Sequence, residues 1–294
     1  MAPRDVNTVA VIGAGIMGRG IAHVAALGGY HTILEDILPA SLRKAESEIR
    51  ANLDKAVELG KIDRTKADEA LRNVEFADSV EDAVRQADIV IEAVPEEMES
   101  KMEIFSMLDR MCPPHTIFAT NTSSLSITEI ASVTMRANQC VGMHFFNPVH
   151  KMKLIEVVRS ADTDDDTLAT ALEVGRRMGK ETVTIHEAPG FITSRINAMI
   201  GNEAFYMLGE GVATAADIDK ALKLGLNHPM GPFEMVDLVG LDTRLRILQY
   251  LHSTLGEKFR PAPLLVQYVN EGRLGRKAGR GVFEYPEQGK RAQA

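Results

Sequence analysis

Eight short apolar runs of strand length punctuate the first two thirds of the chain, at residues 8–12, 32–35, 74–76, 89–94, 117–120, 140–144, 154–158 and 182–185. Between them apolar residues recur every three or four positions, the spacing of helices that pack one face inward. Strand-like and helix-like segments alternate. That order predicts a parallel sheet covered by helices.

One helical segment is out of proportion. Residues 38–62, "LPASLRKAESEIRANLDKAVELGKI", place Leu42, Ala45, Ile49, Leu53, Ala56 and Val57 at helical spacing, with charges on the other face. It reads as an amphipathic helix inserted between the second and third strands, or as a hairpin projecting from the sheet toward a bulky ligand.

The pattern changes at "HEAPG", residues 186–190. Helical periodicity follows at 191–208, 215–224, 233–239, 241–255 and 263–270, broken at Gly209, Gly211, Pro229, Gly231, Pro232 and Pro261. Only the short "GVFEY" near the end resembles a strand. The expected organisation is an α/β, Rossmann-like domain over residues 1–187 and an all-helical domain over 188–294. Beyond these, only the last eight residues form a polar, low-complexity tract.

Composition narrows the function classes. A chain of 294 residues with 45% apolar and 25% charged residues has ample material for two cores. The net charge of −8, with no basic cluster interleaved with aromatics, argues against a nucleic-acid surface. Cys112 and Cys140 form neither a metal-ligand spacing nor a disulfide framework, which fits a reducing, cytoplasmic setting. No apolar stretch approaches the ~20 residues of a membrane span. The opening "MAPRDVNTVAVIGAG" enters a strand at once, with no room for a signal or transit peptide.

Candidate chemistry begins at residues 9–29, "VAVIGAGIMGRGIAHVAALGG", a strand, then Gly13-x-Gly15-x-x-Gly18, then an apolar-faced helix. The first glycine permits a tight turn, the second lets backbone approach a pyrophosphate, and the third allows close helix–strand packing. The helix N-terminus attracts the phosphate charge. Asp36 ends the second strand, where a carboxylate binds the adenine ribose hydroxyls and repels a 2′-phosphate, so NAD is favoured over NADP. Glu35 beside it adds to that repulsion. Ile16 and Met17 in the glycine loop and Ala93 near the end of the fourth strand are expected to line the same cofactor. In "IVIEAVPEEMESK", residues 89–101, Glu96 and Lys101 follow a buried strand that carries Glu92. They either face the nicotinamide half of the cofactor or are surface charges at a helix start.

"GMHFFNPVHKMKLIEVV", residues 142–158, ends one apolar run in His144 and sets Glu156 inside the next. An ionised glutamate among Leu154, Ile155, Val157 and Val158 is costly to bury without a partner. An imidazole titrates near neutrality and can abstract a proton, and a carboxylate on its other ring nitrogen fixes the tautomer and supports the imidazolium. A satisfied core histidine and an edge-strand glutamate are the plain alternative.

At these residues the sequence resembles the 3-hydroxyacyl-CoA dehydrogenase family, most closely its bacterial short-chain members. The resemblance runs through "VIGAGIMGRGIA", "IEAVPEEMESK", "ATNTSSLSITEIA", "GMHFFNPVHKMKLIEVV", "PGFITSRI", "NEAFYMLGEGVATAADIDKALKLGLNHPMGPFEMVDLVGLDT" and "GRLGRKAGRGVFEY", essentially the whole chain. It implies NAD-dependent oxidation of a short-chain (3S)-3-hydroxyacyl-CoA, or the reverse reduction, with His144 as base and Glu156 as its partner. It implies that Ser123 contacts both the substrate 3-oxygen and the cofactor, and that Asn147 lies near the nicotinamide. Glu96, Lys101 and Lys277 correspond to further cofactor contacts. The helical insertion corresponds to the region that meets CoA, with Asn52 and Lys61 as candidates there. A homodimer built on the helical domain is implied as well. Scaffold relatives that oxidise sugar acids, or bind dinucleotides without turnover, mark the alternatives.

One position departs from the pattern: "PGFITSR" carries Ser194 where an asparagine is usual. A hydroxyl is shorter than an amide, so a hydrogen bond to the substrate carbonyl is expected to be lost or bridged by water. His150 reads as a solvent-facing loop residue, His23 as packing or surface, and the fourteen methionines as core filler. "DTDDD", residues 162–166, reads as a loop and helix N-terminus.

Overall fold

In the computed structural model, residues 3–285 are described, and the polar last eight residues lie outside them. The chain divides into two compact units, Met1–Ala188 and Pro189–Ala294. In the first, strands β1 (Thr8–Ile12), β2 (His31–Glu35), β3 (Val74–Ala77), β4 (Ile89–Glu92), β5 (Ile117–Thr120), β6 (Cys140–Phe145), β7 (Leu154–Arg159) and β8 (Glu181–His186) make one sheet. Their order is β3-β2-β1-β4-β5-β6-β7-β8. Every pairing is parallel except β6 with β7. Each strand falls within two residues of its expected place.

Helices cover both faces, which is why the central strands are apolar on both sides. Val9 and Val11 of β1 join one core with Ile21, Val24 and Ala25 of α1 (Ile16–Leu27). Ala10 and Ile12 join the opposite core with Phe105 and Leu108, and with Val84. These come from α5 (Met98–Met111) and α4 (Val80–Val84), whose chain order follows α2 (Pro39–Glu58) and α3 (Arg64–Arg72). The first-unit helices end with α6 (Ile127–Ala131) and α7 (Asp165–Arg177). Polar N-caps set where several of them start: Asp63 accepts from Lys66 N, Ser126 from Glu129 N and Asp164 from Thr167 N. Asp164 thus caps α7, with Asp165 and Asp166 in its first turn, so the acidic run "DTDDD" is a helix start.

The insertion is two helices. Ala45, Ile49 and Leu53 of α2 and Ala67 and Ala70 of α3 are buried in the same core as α1. The amphipathic stripe is therefore a packing face. The apolar stripe in the sequence ends at residue 62, and α3, polar apart from two alanines and a leucine, carries too little of it to be marked.

The second unit holds α8 (Thr193–Gly209), α9 (Ala215–Gly225), α10 (Pro232–Val239), α11 (Leu241–Leu255) and α12 (Pro263–Asn270). Phe205 and Phe233 meet edge-to-face at 5.2 Å in its core. "GVFEY" is not a strand. Asp237 accepts the backbone N–H groups of Val282 and Phe283 and the Tyr285 hydroxyl, leaving only isolated bridges, Gly275 with Arg280 and Arg280 with Glu284. A buried carboxylate takes the amides that a partner strand would have used. Among the described residues no helix is long and apolar enough to cross a membrane.

Candidate active site

The glycine turn joins β1 to α1. Gly13 has φ +97°, and its N–H donates to the Glu35 carbonyl at 2.9 Å. A Cβ there would lie 2.9 Å from the Ala93 carbonyl oxygen, so the turn and the end of β4 are in close approach. A Cβ on Gly18 would meet Gly13 O at 1.7 Å, whereas one on Gly15 would meet nothing within 4 Å. The open space above Gly15 is where a pyrophosphate needs it. The first turn of α1 has no side-chain cap and no acidic residue to compete for its N–H groups.

Asp36 is half-buried beside this cradle, its Oδ2 accepting from Ala14 N and its Oδ1 from Leu38 N, both at 2.9 Å. The carboxylate is thereby fixed at the end of β2, where the ribose hydroxyls of a dinucleotide fall. Glu35 differs from expectation. It is 2% exposed, its Oε1 has no partner, and burial, then Asp36 and Asp78, push its carboxyl up to about 7. It is a buried, half-protonated group near neutrality, not an exposed charge that repels NADP.

Beyond β4 and β5 a polar network follows. Glu92 accepts from Lys101 Nζ, Val94 N and Thr120 Oγ1, each at 2.7 Å. Lys101 is buried and reaches Glu96 Oε2 at 3.4 Å. Glu96 Oε1 accepts from Thr122 Oγ1 and Ser123 N at 2.7 Å and from Ser123 Oγ at 3.1 Å. Glu96, Lys101 and Ser123 are therefore one connected array, with Glu92, to which the sequence pattern gives no role, at its base.

His144 and Glu156 are directly opposed across the antiparallel β6–β7 pair. Met143, Phe145, Ile155 and Val157 alternate with them and enter the α1-side core, which leaves His144 and Glu156 on the other face of the pleat. Both are buried, with His144 Nδ1 donating to Glu156 Oε2 at 2.7 Å. The Nδ1–H tautomer leaves Nε2 as the basic nitrogen. The Phe146 ring packs 4.5 Å from the imidazole, and Asn121 Oδ1 accepts from Phe145 N to tie β5 to β6.

Asn147 is exposed in the turn after β6 and lines a concavity of about 200 Å³ with Ile16, Arg19, Asn52 and His150. Asn52 thus shares a surface with Asn147, while Lys61 is exposed and close enough to His150 to help lower its pKa, after burial and the charges of Lys151 and Lys180. His150 is exposed, as expected, yet it stacks at 5.7 Å on His23, which is buried.

The model of the NAD-binding domain of 3-hydroxyacyl-CoA dehydrogenase matches residues 8–188, and that of the family's C-terminal domain matches residues 190–285. The chain belongs to the 3-hydroxyacyl-CoA dehydrogenase family. It is 45% identical to a probable 3-hydroxybutyryl-CoA dehydrogenase of Bacillus subtilis, over 97% of this chain and 99% of the relative. It is 38% identical to the human mitochondrial hydroxyacyl-coenzyme A dehydrogenase, over 95% of this chain and 91% of that one. The crystal structure of (S)-3-hydroxybutyryl-CoA dehydrogenase from Ralstonia eutropha is similar with TM-score 0.94 and 40% identity, covering 96% of this chain and all of that one. The family's cofactor is NAD, which the glycine turn, Gly15 cradle and Asp36 fit.

Two expected family positions lie in the helical unit. Ser194 is half-buried in the first turn of α8. Lys277 donates to both carboxylate oxygens of Asp242, at 2.7 and 2.8 Å, so its ammonium is already paired within that unit.

Proposed function

We propose that the chain interconverts short-chain (3S)-3-hydroxyacyl-CoA, 3-hydroxybutyryl-CoA above all, and the corresponding 3-ketoacyl-CoA, with His144 and Glu156 as its acid–base pair. The observation that carries this reading is the 2.7 Å bond between two buried groups on facing strands of an NAD-binding domain. Three relatives at 42–45% identity, each matched over at least 94% of this chain, bear the name 3-hydroxybutyryl-CoA dehydrogenase or its probable form.

In this reading His144 Nε2 takes the substrate hydroxyl proton, and the Nδ1–H bond to Glu156 fixes the tautomer and the ring's orientation. As the imidazolium forms, the adjoining carboxylate lowers its energy in a site sheltered from water. Bound NAD supplies the hydride acceptor for carbon 3. The Ser123 hydroxyl makes the longest of the three bonds to Glu96 Oε1 and turns to donate to the reacting oxygen, while its N–H stays anchored. Glu96, Lys101, Asn147 and Lys277 serve the cofactor side, and Ser194 the thioester carbonyl. The concavity with Asn52, and Lys61 near it, receives part of the CoA moiety. A homodimer formed through the helical unit and a cytoplasmic location complete the proposal, the latter supported by buried, unpaired Cys112 and Cys140.

The test is steady-state kinetics with acetoacetyl-CoA, longer 3-ketoacyl-CoA and free hydroxy acids. The proposal expects turnover of the short CoA thioesters and a loss of roughly 10²–10⁴-fold in His144→Gln, with NADH affinity little changed. Preference for free hydroxy acids, or wild-type rates in the variant, contradicts it.

A further inference from the structure

Glu92 closes β4 with its carboxylate fully buried, and proton and hydride transfer as described give it no task. Its three accepted bonds, from Lys101 Nζ, Val94 N and Thr120 Oγ1, satisfy both oxygens. Lys101 is 1% exposed, and its ammonium divides its donors among Glu92, the Val94 carbonyl at 3.4 Å and Glu96. An ammonium this deep needs carboxylates around it, and Glu92 and Glu96 each supply one. Glu96, at 39% side-chain exposure, is the outer member and holds Ser123 by both N–H and hydroxyl.

The array therefore runs from the sheet interior to the surface as carboxylate, ammonium, carboxylate, with one net negative charge. It stands beside the glycine turn, because Ala93, the residue after Glu92, donates its N–H to Ile12 O and packs against Gly13. In a doubly wound sheet the cofactor lies across these strand ends. An oxidised nicotinamide ring is a cation and a reduced one is neutral. A fixed negative charge behind the ring thus acts on one redox form alone.

We propose that Glu92 is a positioning residue that, through Lys101, fixes Glu96 against Ser123, and that the net negative charge of this array favours oxidised over reduced nicotinamide. The inference rests on the NAD-dependent reading and needs no particular acyl substrate.

The experiment measures equilibrium dissociation constants of NAD⁺ by calorimetry and NADH by fluorescence, on the full chain without substrate. Glu92→Gln keeps the size of the side chain and removes its charge; Glu96→Gln does the same at the exposed end, where folding is not at risk. Both should raise the ratio of the NAD⁺ constant to the NADH constant on the order of tenfold, as for a unit charge roughly 10 Å from the ring at an effective dielectric near ~20. Glu92→Asp keeps the charge, so its ratio should match wild type even where both affinities fall. Equal weakening of both redox forms in Glu92→Gln, or an unchanged ratio in Glu96→Gln, overturns the proposal. A wild-type chain that binds neither form overturns the NAD-dependent reading as well, so the two failures are told apart.

Discussion

Replacing Glu35 by methionine tests whether a buried carboxylate can be read as a pH-dependent cost on folding. Glu35 is 2% exposed, has one oxygen without a partner, and titrates at about 7 rather than its ordinary 4.5 because of burial, then Asp36 and Asp78. Between those two values the folded chain holds a proton that the unfolded chain has released. Stability therefore falls as pH rises through this window, with the folded state favoured most below the unfolded value. A shift of that size corresponds to about 3 kcal/mol by pH 8 and to roughly 1 kcal/mol at pH 5. Methionine fits the length and carries no proton to lose, so Glu35→Met should gain about 2 kcal/mol relative to wild type between pH 5 and pH 8, whatever its constant packing offset. The assay is urea unfolding of the cofactor-free chain at several pH values, followed by a probe in the first unit so that the two units are not averaged. Parallel stability curves for the two proteins across that range would refute the reasoning, since Glu35 would then titrate like an exposed glutamate.

Three further outcomes are expected. Asp36→Ala should narrow the preference for NADH over NADPH, measured as the ratio of kcat/KM values, because a carboxylate fixed by Ala14 N and Leu38 N at the end of β2 would repel a 2′-phosphate there. Glu156→Gln should lower kcat by about 10²-fold or more and alter the pH–rate profile, since a carboxylate some ~4 Å from the imidazolium at an effective dielectric near ~20 is worth a few kcal/mol; an unchanged profile removes Glu156 from the proton-transfer machinery. Ser194→Ala should raise KM for acetoacetyl-CoA or lower kcat by ~1–3 kcal/mol equivalent while Ser194→Asn keeps substantial activity, and alanine kinetics equal to wild type would strike Ser194 from the site.

The fold was legible where burial imposes a period. The six inner strands could be placed because both faces of the sheet are covered there, and apolar runs of that length have few other uses, whereas the edge strands β3 and β8 are at least half exposed. The pairing partner of His144 was legible for a related reason: a charged residue inside an apolar run signals a partner. Where tertiary contacts decide, the sequence was silent. α3 shows few apolar residues because two alanines suffice for its packing, and "GVFEY" has strand composition but loses its amides to Asp237, far away along the chain. Glu35 and Asp36 are neighbours in sequence, yet one is buried and the other half-exposed. Nothing in a string of letters says that Glu92 and Lys101, nine residues apart, close on each other.

The single reversal of direction in the sheet has a practical corollary. Because β7 runs back along β6, the two members of the His144–Glu156 pair come from one hairpin, twelve residues apart, and need no crossover helix to meet. The pair can therefore be moved as a cassette: residues 140–159 grafted onto another sheet edge carry its alignment with them. The same economy makes it brittle in one respect. Deleting a single residue of β7 ahead of Glu156 inverts its facing, so the carboxylate trades places with a core valine or isoleucine and the histidine is left opposite a hydrocarbon. Length changes in the exposed turn between the strands, at residues 150–153, leave that parity alone. A library of indels across this hairpin should separate into working and dead clones by where the change falls, not by how large it is.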